Sequence, residues 1–418
     1  MGLSVPCRGV RLARRRLHLI FAGDVIESAG TRSYMREMLQ HLAGAGVELR
    51  THCFQFRLDP DLPVGEYRVD DFDHPVFLAP GGRVFRFLPR PAYRLFERFV
   101  LWRFLRRSLR QIEAHDTVIG SGCLGALYLG AGRLPANAWW LKLGLIEEEG
   151  SSGIRYRTRK RIEAMHARRF ANRIVVSGPM GAFISGEYGA ARGRQLVLPC
   201  LVDLDRFPPV TERDGLRKRL GLSERFVLAY VGTAAPWQCA PETVAFFARL
   251  REQLPHAFFW VFTPDRAQFE ALLEALPTES WKTEFRPHHE LASVLPAADM
   301  GCLVRRCERV NRVASPLKFP EYLSCGLPVL IGPEVGDYSR LVGEGRLGIV
   351  IDPDRPETWS QAIQAIREMQ TDAGLRERCR MAAEALSWQT FAPQLLQVFG
   401  GEGKEGKASL PTEETGAR

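Results

Sequence analysis

The stretch ASPLKFPEYLSCGLPVLIG (Ala314–Gly332) joins the pattern of a short helix to the pattern of a buried strand. Ser315 is a preferred N-cap residue, and Pro316 fits the first position of a helix. Lys318 then stands in the first turn, where the free N–H groups are partially positive and a capping box would carry Glu or Gln. A cation there costs about 0.3–1 kcal/mol unless an anion is bound. The pattern therefore indicates a phosphate site formed by the helix start, including Leu317, and the lysine.

A carboxylate follows one turn later in the same stretch. Glu321 lies on nearly the same helix face as Lys318. One turn rises about 5.4 Å, which roughly matches the step from a diphosphate to the hydroxyls of an attached ribose. A carboxylate can accept two hydrogen bonds from vicinal hydroxyls. The alternative is an ordinary capped helix with a surface pair of Lys318 and Glu321, because short patterns also match by chance.

The composition is that of a globular protein with two domains. The chain has 418 residues, of which 45% are hydrophobic and 25% charged, so a sizeable core is available. The net charge of +9 favours an anionic partner, which includes nucleic acid, a phosphorylated small molecule and a membrane surface. Nine cysteines are scattered without a CxxC pair, which is typical of reduced thiols in a cytosol. No apolar run reaches the roughly 18 residues of a transmembrane helix.

Strand and helix patterns alternate twice along the chain. The strand LHLIFAG (Leu17–Gly23), the helix Thr31–Gly46 and the strand Val47–Phe54 begin the first series. A proline- and charge-rich linker, Phe207–Gly215, separates it from a second series that contains the opening stretch. The rhythm is typical of parallel sheets covered by helices on both faces. The sequence therefore predicts an α/β protein with two doubly wound domains.

The opening stretch resembles a known family signature. Its order P-x-K-x-x-E-Y-x-x-x-G-x-P-V is similar to the nucleotide-sugar donor motif of retaining, family-4-like glycosyltransferases, the glycosyl transferases group 1, which have the GT-B fold. Several further segments resemble stretches of the same family: Leu196–Phe207, Arg217–Gly232, His288–Arg305, LGIVIDPDRPETWSQAI and LSWQTFAPQLLQVF. The combination is far more specific than any one segment.

The resemblance implies a domain organisation. Two Rossmann-like domains would face each other across a cleft, with residues 1–206 on the acceptor side and residues 207–388 binding the donor. Residues 389–400 would form a last helix that packs back on the first domain. Residues 401–418 are expected to be disordered, because they contain almost no large apolar side chains.

The resemblance also implies donor-binding residues and a mechanism. The implied donor contacts are Gly232, Thr233, Arg305, Asn311, Ser315, Pro316, Leu317, Lys318 and Glu321. Glu321 would hold the ribose, and Lys318 would stabilise the departing diphosphate during transfer with retention. No metal or other cofactor is expected. A plain strand-to-helix turn remains the alternative for Gly232 and Thr233, and a solvated side chain remains the alternative for Arg305.

Several positions depart from the family pattern. Val313 stands where a second glutamate is common, and GTAAPWQ after the glycine loop lacks the usual Arg and Lys. Leu141 and Leu143 replace the Asp and His that comparable sequences often carry. Acidic residues Glu148 and Glu149 remain as candidates for contact with the acceptor or the transferred sugar, or as caps of the next helix. A non-catalytic nucleotide-sugar-binding or scaffold protein of the same fold is therefore the alternative function.

A basic, aromatic segment suggests a membrane or acceptor surface. Within Arg83–Arg110, the predicted helix places aromatic and arginine side chains where an anionic membrane could contact them. The candidate residues are Arg98, Trp102, Arg103, Arg106 and Arg107. A solvated helix face is the alternative, and no RNA-binding motif accompanies the charge, so nucleic acid is not expected as a partner. With the family resemblance, the expected role is sugar transfer to a lipid-linked or polysaccharide acceptor, in the cytoplasm or at the cytoplasmic face of the inner membrane.

Two further motifs favour other functions only weakly. GSGCLG (Gly120–Gly125) matches the dinucleotide-binding pattern, but it does not follow the first strand and no acidic strand end follows it. Three Asp-x-Asp triplets could hold a metal and a sugar diphosphate in another glycosyltransferase fold: Asp71/Asp73, Asp203/Asp205 and Asp352/Asp354. Loop positions without a ligand are the favoured interpretation of all three.

Overall fold

The chain forms two domains, each built on a β-sheet. The computed structural model describes residues 16–22, 29–44, 47–56, 65–69, 72–79, 99–100, 102–104, 106–107, 109–121, 134–145, 153–209 and 212–400. Glu148, Glu149, Arg98, Asp71 and the segment 401–418 lie outside these residues.

The amino-terminal sheet has eight strands in the order β3-β4-β2-β1-β5-β6-β7-β8. The strands are β1 (Arg16–Ala22), β2 (Glu48–Phe56), β3 (Gly65–Val69), β4 (Phe72–Ala79), β5 (Thr117–Ser121), β6 (Ala138–Lys142), β7 (Asn172–Val175) and β8 (Gln195–Val197). They pair in parallel except for β3 with β4. Every residue of β5 and β6 is buried, as expected for central parallel strands covered on both faces. The helices are α1 (Ala29–Gly44), α2 (Gly153–Arg169) and α3 (Gly178–Tyr188).

The carboxyl-terminal sheet has six parallel strands in the order β11-β10-β9-β12-β13-β14. The strands are β9 (Phe226–Val231), β10 (Ala257–Phe262), β11 (Trp281–Glu284), β12 (Met300–Leu303), β13 (Val329–Ile331) and β14 (Gly348–Val350). The α-helices are α4 (Arg213–Arg219), α5 (Ala240–Gln253), α6 (Arg266–Leu273), α7 (Arg309–Arg312), α8 (Lys318–Ser324), α9 (Tyr338–Gly345), α10 (Trp359–Met369), α11 (Leu375–Ala385) and α12 (Trp388–Gly400). The strand order reverses between β9 and β12, and ligands of such sheets bind outside the strand ends at this switch point.

The predicted elements agree with the structure to within about two residues at most ends. The first strand covers Arg16–Ala22, and the first helix covers Ala29–Gly44. The predicted linker Phe207–Gly215 is shorter than expected, because α4 already begins at Arg213. Arg213 holds this helix in place by donating from Nη2 to the Asp299 carboxylate at 2.5 Å.

The chain passes between the domains twice, and the two crossings are bonded to each other. Val202 N donates to the Leu386 carbonyl at 3.0 Å, and Trp388 N donates to the Val202 carbonyl at 3.0 Å. Helix α12, which begins at Trp388, then packs in the core of the amino-terminal domain. Its buried apolar residues are Trp388, Phe391, Ala392, Leu395 and Phe399. Helix α12 therefore completes the core of the first domain.

Three of the hydrogen bonds that join the two domains lie beside the sheets. Ser177 Oγ donates to the Val313 carbonyl at 2.8 Å, and Gly178 N donates to Asp337 Oδ2 at 2.8 Å. The donor of the third is the Cys200 backbone N–H, and its acceptor is Ser315 Oγ, at 2.8 Å. The amino-terminal partners follow β7 and β8, so the carboxyl ends of these strands face the carboxyl-terminal domain.

Candidate active site

Helix α8 begins later than the sequence predicts. It runs from Lys318 to Ser324, its N-cap is Leu317, and no side chain caps it. The prediction of Ser315 as N-cap was therefore wrong. The Ser315 hydroxyl accepts from Cys200 N at 2.8 Å and bonds the Tyr338 hydroxyl at 2.8 Å, so it has partners on both sides of the domain boundary.

The turn before α8 is closed by the backbone. Phe319 N donates to the Pro316 carbonyl at 3.1 Å, and Pro316 is a buried residue. Because α8 contains only 7 residues, its dipole is short, and the side chains around it carry most of any interaction with an anion.

Lys318 lies in a cluster of residues that follow or belong to strand β9. Its Nζ bonds Gln238 Oε1 and lies 4.9 Å from the centre of the Tyr230 ring. Gly232 has φ of 140°, a conformation that favours glycine, and a methyl group there would overlap the lysine Nζ. The glycine at the end of β9 therefore leaves the space that the ammonium group occupies.

Thr233 orients the amide that faces the lysine. Gln238 Nε2 donates to Thr233 Oγ1 at 2.8 Å, and the Tyr230 hydroxyl donates to the Thr233 carbonyl at 2.6 Å. Sequence reasoning missed Gln238 and Tyr230. The available signal was the loop GTAAPWQ, which ends at Gln238 and lacks the Arg and Lys that the family resemblance leads one to expect there.

Arg305 brings a second cation to the same strand ends. It follows β12 and is 8% exposed, and its Nη1 donates to Asn311 Oδ1 at 3.2 Å. Asn311 is fully buried, and its Nδ2 donates to the Arg306 carbonyl at 3.0 Å and to the Trp237 carbonyl at 3.4 Å. Asn311 therefore holds Arg305 and joins it to the loop after β9.

The two cations influence each other. Burial lowers the pKa of Lys318 to about 7, and the positive charge of Arg305 contributes to the same fall. An anion bound between the two side chains would reverse this effect, because opposite charge favours the ammonium form. The cluster therefore has the electrostatic character of an anion site.

Glu321 lies one turn beyond Lys318, and its carboxylate contacts a histidine. The side chain is 3% exposed, and Oε1 bonds Nε2 of His288. The Glu321 carboxylate raises the pKa of His288 above its ordinary value, against the opposing effect of burial. Sequence reasoning missed this role of His288, although the residue opens one of the segments that resemble the family.

The histidine also reaches the amino-terminal domain. Its Nδ1 lies 3.4 Å from Ser33 Oγ on α1 and 3.3 Å from Arg206 Nη2. Arg206 Nη1 in turn donates to Glu37 Oε1 at 2.6 Å, and Trp388 Nε1 donates to Glu37 Oε2 at 3.2 Å. Burial raises the pKa of Glu37, and the negative charge of Glu321 adds to that rise. These contacts link the site to both crossings between the domains.

Residues 212–386, which contain every one of the carboxyl-terminal site residues described above, match the family of glycosyl transferases group 1. We call these residues the group 1 domain, for their similarity to that family. This finding confirms the resemblance that the donor motif predicted.

Curated relatives of the group 1 domain include a D-inositol 3-phosphate glycosyltransferase from Geodermatophilus obscurus. It is 30% identical over 238 residues, which cover 52% of this chain and 50% of the relative. The chain thus spans about half the length of the curated relatives it matches.

Solved structures show that the group 1 domain belongs to a GT-B fold. A sucrose-phosphate synthase from Thermosynechococcus elongatus matches with a TM-score of 0.70 and 21% identity, over 93% of this chain and 99% of that chain. Anabaena HepE in complex with UDP-glucose matches with a TM-score of 0.65 and 15% identity, over 92% and 99%. The prediction of two Rossmann-like domains is confirmed.

The carboxyl end of strand β6, which includes Leu141 and is followed by Leu143, is largely apolar. Leu141 is 1% exposed and packs in the amino-terminal core, with Leu143 partly buried against it. Lys142 pairs with Glu163 inside the domain, and the Tyr188 hydroxyl donates to Glu163 Oε2 at 2.9 Å. Glu148 and Glu149 follow this segment outside the described residues, so their assignment stays a prediction.

The basic segment presents an aromatic and cationic face. We define the basic helix face as the outward side chains Phe99, Trp102, Arg103, Arg106, Arg107 and Arg110. Phe99 is 56% exposed and lies 6.1 Å from the Trp102 ring, over which the Arg106 guanidinium lies at 5.0 Å. Val100 and Phe104 pack on the opposite side, against the core. No helix among the described residues is long and apolar enough to cross a membrane.

The first aspartates of two Asp-x-Asp triplets, Asp203 and Asp352, accept hydrogen bonds from other residues of the chain. Asp203 Oδ1 accepts from Gln389 Nε2 at 2.9 Å at the domain crossing, and Asp352 Oδ1 accepts from Asp354 N at 3.0 Å. Within the described part of the chain, no group of three His, Cys, Asp or Glu side chains could hold a metal ion. Of GSGCLG, the structure describes Gly120 and Ser121, which belong to β5.

Proposed function

We propose that the protein transfers a sugar, with retention, from a nucleotide-diphosphate sugar to a lipid-linked or polysaccharide acceptor. The assembly of bacterial cell-surface polysaccharide or glycolipid, such as lipopolysaccharide, is the proposed setting. The observation that carries the proposal is the convergence of Lys318 and Arg305 at the switch point of the sheet, with Glu321 one turn away. The similarity to Anabaena HepE, whose structure contains UDP-glucose, supports a donor of this class.

The proposed chemistry uses the two cations to stabilise the leaving group. As the anomeric bond breaks, negative charge grows on the diphosphate, and positive groups already in place lower the barrier. Lys318 and Arg305 would supply this charge, so the proposed reaction needs no metal or other cofactor. The acceptor hydroxyl would attack from the face that the diphosphate leaves, and the leaving phosphate would take its proton.

A second candidate function is binding of a nucleotide sugar without transfer. The observation that favours it is the apolar strand end at Leu141 and Leu143, where relatives often carry ionisable groups. The donor half and the acceptor half of the site would then have diverged separately, which is possible because they belong to different domains.

A nucleotide panel tests both candidates. The chain is mixed with UDP-, GDP-, ADP- and CDP-sugars in the presence of a chelator, and melting temperature and sugar release are measured. Transfer predicts stabilisation by one donor together with slow hydrolysis or transfer to a glycolipid. Stabilisation without any sugar release would favour binding alone. Absence of stabilisation by every nucleotide would exclude both candidates.

We expect nucleotide affinity to fall as the pH rises above about 7. The free protein holds the pKa of Lys318 at about 7, and a bound diphosphate would raise it. Binding above this pH therefore takes up a proton, so affinity decreases by up to about tenfold per pH unit. Calorimetric titration between pH 6 and pH 9 measures the slope. Lys318→Arg keeps its charge over this range and should give a shallower profile, whereas identical profiles would contradict the assignment.

We further propose that the basic helix face binds the anionic cytoplasmic face of the inner membrane. The exposed Phe99 ring and the half-buried Trp102 ring, which stacks with Arg106, suit the boundary between lipid headgroups and acyl chains. This placement would bring a lipid-linked acceptor to the cleft. The protein would then be a peripheral protein on the cytoplasmic side, without a nucleic-acid partner.

The membrane proposal predicts the outcome of vesicle flotation. Each basic residue near an anionic surface contributes about 1 kcal/mol, so replacing Arg103, Arg106 and Arg107 by alanine should weaken binding to phosphatidylglycerol vesicles by roughly a hundredfold. A matched control replaces three exposed arginines of α2, namely Arg157, Arg161 and Arg168. Equal losses in the two triple variants would mean that only net charge matters.

A further inference from the structure

We propose that His288 is a positioning residue that couples the ribose site at Glu321 to closure of the two domains. The inference rests on the proposed function, because it takes Glu321 as the carboxylate that holds the donor ribose. His288 itself would touch no reacting atom. It would act through the orientation and charge of Glu321.

The imidazole uses both of its nitrogens across the domain boundary. Nε2 bonds the Glu321 carboxylate of the donor domain, and Nδ1 lies 3.4 Å from Ser33 Oγ on α1 of the other domain. The Phe207 ring packs against the imidazole with centroids 6.2 Å apart, so the ring has limited freedom to turn. Glu321 has Oε1 in the histidine contact, which restrains the position of the carboxylate.

The charges around His288 favour its protonated form. The carboxylates of Glu321 and Glu37 face it, and the Arg206 guanidinium opposes them. Glu37 forms an ion pair with Arg206, and Arg36 Nη2 lies 3.8 Å from the same carboxylate oxygen, Oε1. A hydrogen bond from an imidazolium to the Glu321 carboxylate is charge-assisted, so it is stronger than a bond between neutral groups and holds the carboxylate more firmly in place.

The same contacts reach both crossings between the domains. Arg206 belongs to the first crossing between the domains, and Trp388 begins the helix after the second. Glu37 accepts from both of them. Because the contact between His288 and Ser33 joins two domains, it exists only while they hold this relative position. A ribose bound at Glu321 would stabilise the His288 arrangement and thereby the closed cleft.

Two amide substitutions separate the two halves of the proposal. A glutamine amide can replace Nε2 of histidine, so His288→Gln keeps a donor to Glu321 but loses the reach to Ser33. An asparagine amide replaces Nδ1, so His288→Asn keeps the contact toward Ser33 but leaves Glu321 without its partner. Asp337→Ala is the control, because it removes another contact between the domains, the one with Gly178 N, without touching Glu321.

The experiment compares the dissociation constants of a nucleoside diphosphate and its 2′,3′-dideoxy analogue. UDP, GDP and ADP are tested first, and the tightest is used. Wild type should bind the nucleoside diphosphate about 10- to 150-fold more tightly than its dideoxy analogue, because hydrogen bonds to a charged group have an effect of this size. We call this ratio the discrimination. Discrimination should fall toward unity in His288→Asn and persist in His288→Gln and Asp337→Ala. Small-angle scattering should show that nucleotide compacts wild type but not His288→Gln or Ser33→Ala.

The outcomes separate this inference from the function on which it rests. Absence of discrimination in wild type would overturn the ribose assignment of Glu321, and the inference would fall with it. Discrimination that is equal in wild type and His288→Asn would overturn the role of His288 alone. Equal loss in His288→Asn and Asp337→Ala would also overturn it, because domain contact in general would then explain the effect. If His288→Asn does not fold, the scattering experiment on Ser33→Ala decides. Nucleotide that compacts Ser33→Ala as much as wild type would contradict the coupling.

Discussion

Replacing Lys318 by alanine is expected to reduce sugar transfer by about 10²- to 10³-fold, the usual effect of removing one preorganised group that stabilises developing charge. The lysine lies against Gln238, Tyr230 and the glycine at the end of β9, in a space that the backbone at Gly232 leaves open. Because this arrangement exists before substrate binds, the charge is in place when the diphosphate begins to leave. Arg305 remains in the variant and should account for the residual rate.

The measurement is turnover of the donor identified by the nucleotide panel, together with the melting temperature of each variant. Burial lowers the pKa of Lys318 from 10.5 to about 7, so the lysine destabilises the folded state increasingly as the pH falls below 10.5, and this effect is complete near pH 7. Lys318→Ala should therefore melt no lower than wild type near neutral pH. The matched control is Lys218→Ala, since Lys218 is exposed on α4. Wild-type turnover in Lys318→Ala would move the leaving-group site elsewhere.

Replacing Glu321 by glutamine is expected to weaken nucleotide binding by about 10- to 150-fold, which corresponds to about 1.5–3 kcal/mol for hydrogen bonds to a charged group. Glutamine has nearly the same shape, so the change removes charge and one acceptor oxygen without opening a cavity. Because the Glu321 carboxylate is the main cause of the raised pKa of His288, that pKa should fall in the variant. Calorimetry measures the affinity, and NMR titration of the imidazole measures the pKa.

A carboxylate far from the cleft provides the control for this substitution. Glu344 lies on α9, its side chain is 63% exposed, and it pairs with Arg340 at 3.0 Å. Glu344→Gln should leave nucleotide affinity unchanged. If Glu321→Gln also binds as wild type does while the pKa of His288 falls, the carboxylate holds the histidine but not the ribose.

Local patterns in the sequence predicted most of the fold. Strands such as β9 and β10 are continuous apolar runs, and helices between them carry a regular apolar face, so both could be recognised without a structure. The donor motif could be recognised because its residues lie within one short segment, Ala314–Gly332. Element ends differed by about two residues, which is the usual uncertainty of helix boundaries.

Contacts between distant segments could not be predicted in this way. Ser315 has the local pattern of an N-cap, but its hydroxyl bonds the Cys200 backbone in the other domain. Gln238 meets Lys318, and His288 meets both Glu321 and Ser33, across separations that no periodicity records. These partners depend on how two sheets and two domains are brought together, which only the folded chain specifies.

The position of α12 has a consequence for biosynthesis. The core of the amino-terminal domain needs Trp388, Phe391 and Phe399, which are synthesised only after all strands of the second domain. After β8 is made, translation at about 5–20 residues per second needs roughly 10–40 s to reach α12. During that interval the donor-side domain gains all of its strands, while the first domain exposes the apolar surface that α12 will cover. The domain made first is thus the one completed last, and its uncovered surface is where a chaperone would bind the nascent chain.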